Sequence, residues 1–104
     1  MEFSNVKLVG PANVYFGGKV SSRTFYVEGG QRKTLGFVTE GGYEFSTSDE
    51  EFMEIFAGEF ELKLPGETAF KKYGPGDTFT IPAGIQFDVR TGSFADYCCT
   101  YLPK

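Results

Sequence analysis

Tyr73-Gly-Pro-Gly-Asp-Thr-Phe-Thr-Ile-Pro-Ala-Gly-Ile-Gln-Phe87 is the stretch that decides the fold. In Gly74-Pro75-Gly76-Asp77, proline stands at the second place and glycine at the third, the pattern of a type II turn. Thr78-Phe79-Thr80-Ile81 then alternates polar and apolar residues, Pro82-Ala83-Gly84 breaks the chain, and a second alternation runs from Ile85 to Arg90. Two short strands joined at a tight corner and entered through a tight turn make a piece of a small β-barrel.

Outward from that stretch the punctuation stays the same. Upstream, Ser21 to Val27, Thr34 to Thr39 and Tyr43 to Thr47 read as strands, with turns at Gly29-Gly30 and Gly41-Gly42. The Arg32-Lys33 pair reads as a solvated loop tip. Ser48-Asp49-Glu50-Glu51 has the look of a helix start, but Gly58 arrives too soon for a helix, so Phe52 to Ala57 reads as a strand. Gly58-Glu59 fits a two-residue type II′ hairpin leading into Phe60, Leu62 and Leu64 on one face. Pro65-Gly66-Glu67 turns the chain before a strand from Thr68 to Tyr73, and Asp96 to Leu102 closes it. About nine or ten short strands with no substantial helix predict an all-β barrel or sandwich. Residues 1–12 read as an N-terminal arm and 13–104 as a single domain. Phe52 and Phe56 oppose Met53 and Ile55, so both faces of that strand need cover. A homodimer is the expectation, with a monomer covered by its own N-terminal arm as the alternative.

Composition removes whole classes of chemistry. Across 104 residues there is no histidine, which takes away the commonest general base, the commonest transition-metal ligand and every Ser-His or Cys-His nucleophile. A net charge of −4 without a basic run argues against nucleic-acid backbones as partners. No apolar run approaches the roughly 20 residues of a membrane helix. Cys98 and Cys99 are neighbours whose side chains point to opposite faces of a strand, so they are expected reduced, in a cytoplasmic protein. Gly17-Gly18-Lys19 lacks the earlier glycine and following helix of a phosphate loop and reads as a hairpin turn.

The opening stretch resembles the second motif of the cupin barrels, in which a glycine, a Pro-x-Gly and a metal-binding histidine recur at fixed spacing. Gly76, Pro82 and Gly84 keep that spacing, and Phe87 stands at the histidine. The first cupin motif is matched by Glu51 with Gly58, while Phe45 and Thr47 (or Glu44 and Ser46) fall where its two histidines belong. The resemblance implies a cupin-type double-stranded β-helix, a jelly-roll-like barrel. With Glu51 the one ligand left, no metal site and no cofactor are expected, and Phe87 reads as a core plug.

A closer likeness covers Asn13 to Leu102. Tyr15-Phe16-x-Gly18-Lys19-Val20, Gly42-Tyr43-x-Phe45-Ser46-Thr47, Met53 with Gly58, Leu64-Pro65, Gly76-x-x-Phe79-x-x-Pro82 and Tyr97-x-Cys99-x-Tyr101-Leu102 occur in this order. Together they are similar to the pyrimidine/purine nucleoside phosphorylase family of bacteria. The chain departs from it in an N-terminal extension, in the turn from Glu28 to Lys33, and in Thr100, where the family tends to carry a basic residue. The resemblance implies a pentosyltransferase that uses inorganic phosphate to cleave nucleosides to free base and ribose 1-phosphate, without a metal.

Phosphorolysis needs cationic or amide donors for phosphate, an anion or dipole near the sugar-ring oxygen, and a platform for the base. Lys19 and Arg23 are the phosphate candidates, with Arg90 in reserve, and each reads equally as a surface charge. Glu51 is the candidate for the ribose hydroxyls and developing charge, or else a buried structural carboxylate. Lys19 and Glu51 are thus the catalytic candidates. Tyr43 and Tyr101 can stack a base or pack in the core. Ser46, Thr47 and Gln86 complete the pocket, or are plain strand positions. Two other functions fit: a metal-free cupin that binds a small molecule without catalysis, and a sugar-processing cupin using tyrosine and a carboxylate as acid and base.

Overall fold

The turn at the head of the deciding stretch forms as its residues dictate. In the computed structural model, which describes residues 1–104, the Asp77 amide donates to the Gly74 carbonyl at 3.0 Å. Gly76 takes φ +88°, a conformation that glycine adopts without strain. The Asp77 carboxylate accepts the Gly74 amide at 2.8 Å and closes the loop from the other side. Leu64-Pro65-Gly66-Glu67 repeats the device, with the Glu67 amide on the Leu64 carbonyl and its carboxylate on the Leu64 amide. The Pro82 corner is pinned by Thr47, whose hydroxyl donates to the Pro82 carbonyl at 2.7 Å and accepts the Ile85 amide at 3.2 Å.

Nine strands form one antiparallel network: β1 (Lys7–Leu8), β2 (Asn13–Tyr15), β3 (Val20–Tyr26), β4 (Arg32–Ser46), β5 (Glu50–Gly58), β6 (Phe60–Lys63), β7 (Lys71–Tyr73), β8 (Thr78–Ile81) and β9 (Gln86–Leu102). The one helical piece is a 3-10 turn at Phe16–Gly18. The expected all-β cupin barrel is therefore what the chain builds. It is organised differently from a run of short strands, because β4 has 15 residues and β9 has 17. These two pair along nearly their whole length. At Thr39–Gly41 the register slips, and opposite it Gly92 and Ser93 lie outside the pairing. Gly41-Gly42, expected as a turn, is thus part of a bulge, the device that bends a strand without ending it. Gly41 has φ +143° there.

The bend divides the barrel into two walls. The first holds β1 and β2 side by side on β3, then the N-terminal half of β4, the C-terminal half of β9, β5 and β8. The second holds the C-terminal half of β4, the N-terminal half of β9, β6 and β7. Gly58-Glu59 is not a hairpin, since β5 and β6 do not pair with each other. It is a corner at which the chain passes between walls, with Gly58 at φ +81° and the Glu59 amide on the Phe94 carbonyl at 2.8 Å. A side chain at Gly58 would collide with that same carbonyl.

Between the walls lies a core of Val20, Val38, Met53, Ile55, Phe60, Leu62, Ile81, Phe87 and Val89 with Tyr43, Ala95 and Cys99. Each large side chain of this kind contributes about 1.5–3 kcal/mol by leaving water. Met53 and Ile55 face inward, and Phe52 and Phe56 lie half-buried on the opposite face, as the alternation predicts. The outer face of the first wall is only partly covered. Phe3 of the N-terminal arm packs on Phe25 with ring centroids 4.9 Å apart, while Leu35, Phe37 and Phe94 stay 39%, 43% and 37% exposed. No helix is long and apolar enough to cross a membrane.

Candidate active site

A cavity of about 400 Å³ opens between the walls. Strand register explains its first wall. Thr34 of β4 lies opposite Cys99 of β9, which lies opposite Met53 of β5. One pair further along the same face, Tyr101 lies opposite Glu51, and Glu51 opposite Ile81 of β8. Gly36 lies opposite Tyr97, and a side chain on Gly36 would occupy the space of the Tyr97 ring. Glycine there makes room for that ring. Ser22 of β3 completes a row of polar groups facing the cavity.

The second wall presents stacked rings, flanked on β4 by Glu44 and Ser46. Phe45 pairs with Phe87, and their rings stack with centroids 5.9 Å apart. Phe16, from the 3-10 turn, sits 5.5 Å edge-on to Phe45 and 5.0 Å from Tyr43. Phe16 holds φ +53°, unusual for a bulky residue, and with Tyr15 it lines the cavity rim.

Electrostatics separate the polar groups by role. Burial raises the Glu51 carboxyl above its usual value, while the neighbouring Cys99 thiol and the Arg32 charge pull it back. Burial also pushes up the Cys99 thiol and the Tyr97 and Tyr101 phenols, and the Glu51 charge adds to each. These three therefore remain protonated at neutral pH and act as donors; Cys99 is no thiolate nucleophile. Cys98 faces the other side of the sheet, and burial lifts it to about 11. Both cysteines are buried and free.

Of the residues expected at a site, Glu51, Ser46 and Tyr101 line this cavity. Thr47 is engaged at the Pro82 corner. Tyr43 is buried at the bulge, its hydroxyl 3.0 and 3.1 Å from the Thr39 and Glu40 carbonyl oxygens. Arg23 points to the Gly10 carbonyl at 3.1 Å, and Lys19 is exposed beside the 3-10 turn. Gln86 faces a separate shallow cleft with Lys63 and Glu67. Arg90 pairs with Glu61 at 3.2 Å and stacks on Phe70. Phe87, expected as a core plug, is 7% exposed in the core cluster and also floors the cavity.

Thr34, Cys99, Tyr97, Phe45 and Arg32 are not among the residues the sequence points to as a site. Arg32 begins β4 rather than capping a loop, and its guanidinium carbon lies 3.9 Å from the centre of the Tyr101 ring. The alternation Arg32, Thr34, Gly36, Val38 carried the signal, because it continues the inward face by one more residue.

The donor set does not fit the transition metal of other cupins. Phe45 and Phe87 fill two of the histidine places, and no three His, Cys, Asp or Glu side chains converge. A lone carboxylate beside a protonated thiol is too weak a ligand set.

The barrel and its internal cavity give this chain a cupin-type fold. An RmlC-like cupin from Shewanella frigidimarina NCIMB 400 shares the fold at a TM-score of 0.69, with 16% identity over 100% of this chain and 92% of that one. A protein of unknown function from Acinetobacter sp. ADP1 superposes at 0.92, with 33% identity over 97% of this chain and 98% of the other. The profile of the pyrimidine/purine nucleoside phosphorylases matches residues 11–101. A protein of that name from Clostridioides difficile (strain 630) is 48% identical over 97% of this chain and 96% of its own length. Another, from Hydrogenovibrio crunogenus, is 46% identical over 97% of each. The chain belongs to the pyrimidine/purine nucleoside phosphorylase family.

Proposed function

We propose that this protein is a nucleoside phosphorylase, a pentosyltransferase acting on purine and pyrimidine nucleosides, and that the cavity between the walls is its active site. The observation that carries this is a cavity in which stacked rings, Phe45 on Phe87 with Phe16 edge-on, face a row of polar groups, Ser22, Thr34, Cys99, Tyr101 and Glu51. A nucleoside is divided in the same way. Its base has a π-face that stacks on Phe45 and Phe16 whatever its edge pattern, which supports tolerance of both base classes. Its ribose meets Glu51, Tyr101 and Thr34, with Ser46 at the rim.

In the reaction, a phosphate oxygen forms the bond to C1′ as the C1′–N bond breaks. The bonding pair leaves with the base nitrogen, and the proton of monohydrogen phosphate ends on the base. Positive charge gathers on the ring oxygen in between. The Glu51 carboxylate, held in a low-dielectric cavity, stabilises that charge more than water does. The protonated Tyr101 and Cys99 are neutral donors that do not compete with it.

The test is release of base from uridine and adenosine with and without inorganic phosphate. Phosphate-dependent release that falls at least about 100-fold in Glu51→Gln is expected. Release without phosphate would favour the sugar-processing alternative. Nucleoside binding with no release would favour a non-catalytic binder.

We propose further that the protein works as a homodimer in the cytoplasm. The exposed apolar row Leu35, Phe37 and Phe94 needs cover that the N-terminal arm does not supply, and two free cysteines suit a reducing compartment. Light scattering should give twice the chain mass, and Phe37→Glu should give the chain mass; a wild-type monomer overturns the dimer.

A further inference from the structure

We propose that Arg32 is the phosphate anchor of the active site, binding the oxyanion with the in-plane edge of its guanidinium beside Tyr101 and Glu51. The proposal rests on the phosphorylase function above and supplies what that site otherwise lacks, a cation. Arg32, exposed at the start of β4 and paired with Tyr26 of β3, lies two residues before Thr34 on the same inward-facing alternation. Its guanidinium lies over the Tyr101 ring with the central carbon 3.9 Å from the ring centre. Stacking engages the face of the guanidinium and leaves its N–H groups directed outward in the plane, where they form a fork for two oxygens.

The remaining cations are committed elsewhere or stand apart. Lys63, Lys72 and Arg90 pair with Asp88, Glu59 and Glu61. Lys33 donates to the Thr100 hydroxyl at 2.9 Å on the outer face. Arg32 has no carboxylate within ion-pair distance, although Glu51 is close enough to feel its charge. A guanidinium placed at the edge of an acidic cavity without a partner of its own is a receptor for an added anion. The Thr34 and Tyr101 hydroxyls, 3.4 Å apart, stand along the same row as neutral donors. Stacking on Tyr101 also fixes the orientation, so little side-chain entropy is lost when phosphate binds. Phosphate held here enters from the polar wall, across the cavity from a base stacked on Phe45, as attack on C1′ opposite the leaving base requires.

The experiment is steady-state phosphorolysis of uridine by Arg32→Ala and Arg32→Lys, with Lys72→Ala as a control for the loss of one surface charge. In Arg32→Ala the KM for phosphate should rise about 10- to 100-fold, the range of a lost charge-assisted contact, while the KM for uridine stays within about twofold. Arg32→Lys should fall between, because an ammonium keeps the charge and loses the fork. Lys72→Ala should match the parent. An unchanged phosphate KM in Arg32→Ala, or an equal rise in the uridine KM, overturns the proposal. Direct titration of inorganic phosphate into the same proteins, followed by 31P line width, separates this from the phosphorylase function itself. If the parent binds phosphate but releases no base, loss of that binding in Arg32→Ala still supports the anchor. Binding unchanged in Arg32→Ala, or absent from the parent, refutes it.

Discussion

Where β4 and β9 cross the first wall, their cavity residues are Thr34, Val38, Tyr97, Cys99 and Tyr101, with Arg32 over the Tyr101 ring; where the same strands cross the second, they are Glu44, Phe45, Ser46, Phe87 and Val89. The backbone pairing is equivalent in both, so the difference lies in side chains alone. Metal-dependent cupins place ligands where this chain stacks Phe45 on Phe87. Rings in those places offer a platform in place of ligands, and a row of polar groups lies on the facing wall. What the contrast teaches is that one barrel can keep its corner glycines and proline while changing what each wall presents to the cavity.

The aromatic wall should be the costlier to break. Phe87→Ala empties a buried site that Phe45 and Val89 border, and a loss of about 3–5 kcal/mol in urea unfolding is expected. A loss below about 1 kcal/mol would show that the second wall can collapse around the gap. Phe45→Leu keeps the cavity apolar but removes a stacking face. Its KM for adenosine and uridine should rise by a factor of about 5 to 100, the equivalent of roughly 1–3 kcal/mol of stacking, with the phosphate KM unchanged. A phosphate effect there would mean that the walls do not divide the substrate between them.

On the polar wall, Gly36→Ala drives a methyl into the space of the Tyr97 ring, which Phe60 backs edge-on at a centroid distance of 5.9 Å. A stability loss of about 1–3 kcal/mol is expected from overpacking, and Gly36→Ala with Tyr97→Leu should recover part of it. The smallest effect concerns Glu51. Its folded carboxyl ionises above the usual value of 4.5, so the folded state holds its proton to higher pH than the unfolded state does. The stability contributed by the neutral carboxyl is complete below about pH 4.5 and is lost as pH rises through the folded value. Glu51→Gln removes that loss. Its urea midpoint should gain on the parent between pH 4 and pH 8, and a gap that stays constant would contradict the burial assigned to Glu51.

Much of the fold was legible because local signals agreed with the global shape. Pro75-Gly76 and Pro65-Gly66 form the turns their chemistry demands, and Gly76, Pro82 and Gly84 mark the barrel corner. Gly41-Gly42 and Gly58-Glu59 misled because glycine marks bulges and crossings as readily as hairpins, and only the pairing partners tell them apart. At the site, Glu51 was found by motif spacing. Arg32 was hidden by the preceding Gly29-Gly30-Gln31, which announces a surface turn. The cluster of Arg32, Glu51, Cys99 and Tyr101 joins three strands distant in sequence, and that juxtaposition exists only once register is known.

The uninterrupted course of β4 and β9 through both walls has a consequence for how the molecule opens. The ladder breaks for Gly92 and Ser93 at the bulge and resumes on both sides of it within the same two strands, so neither wall can detach while its neighbour stays folded. Amide protons on both sides of the Thr39–Gly41 bulge should exchange with solvent as one cooperative unit. Breathing is then left to the edges, where β1 is held on β3 by two residue pairs and β2, which leads into Phe16, by three. The short edge strands, β2 among them beside the Tyr15 and Phe16 rim of the cavity, should therefore exchange their amide protons well before the rest of the shell.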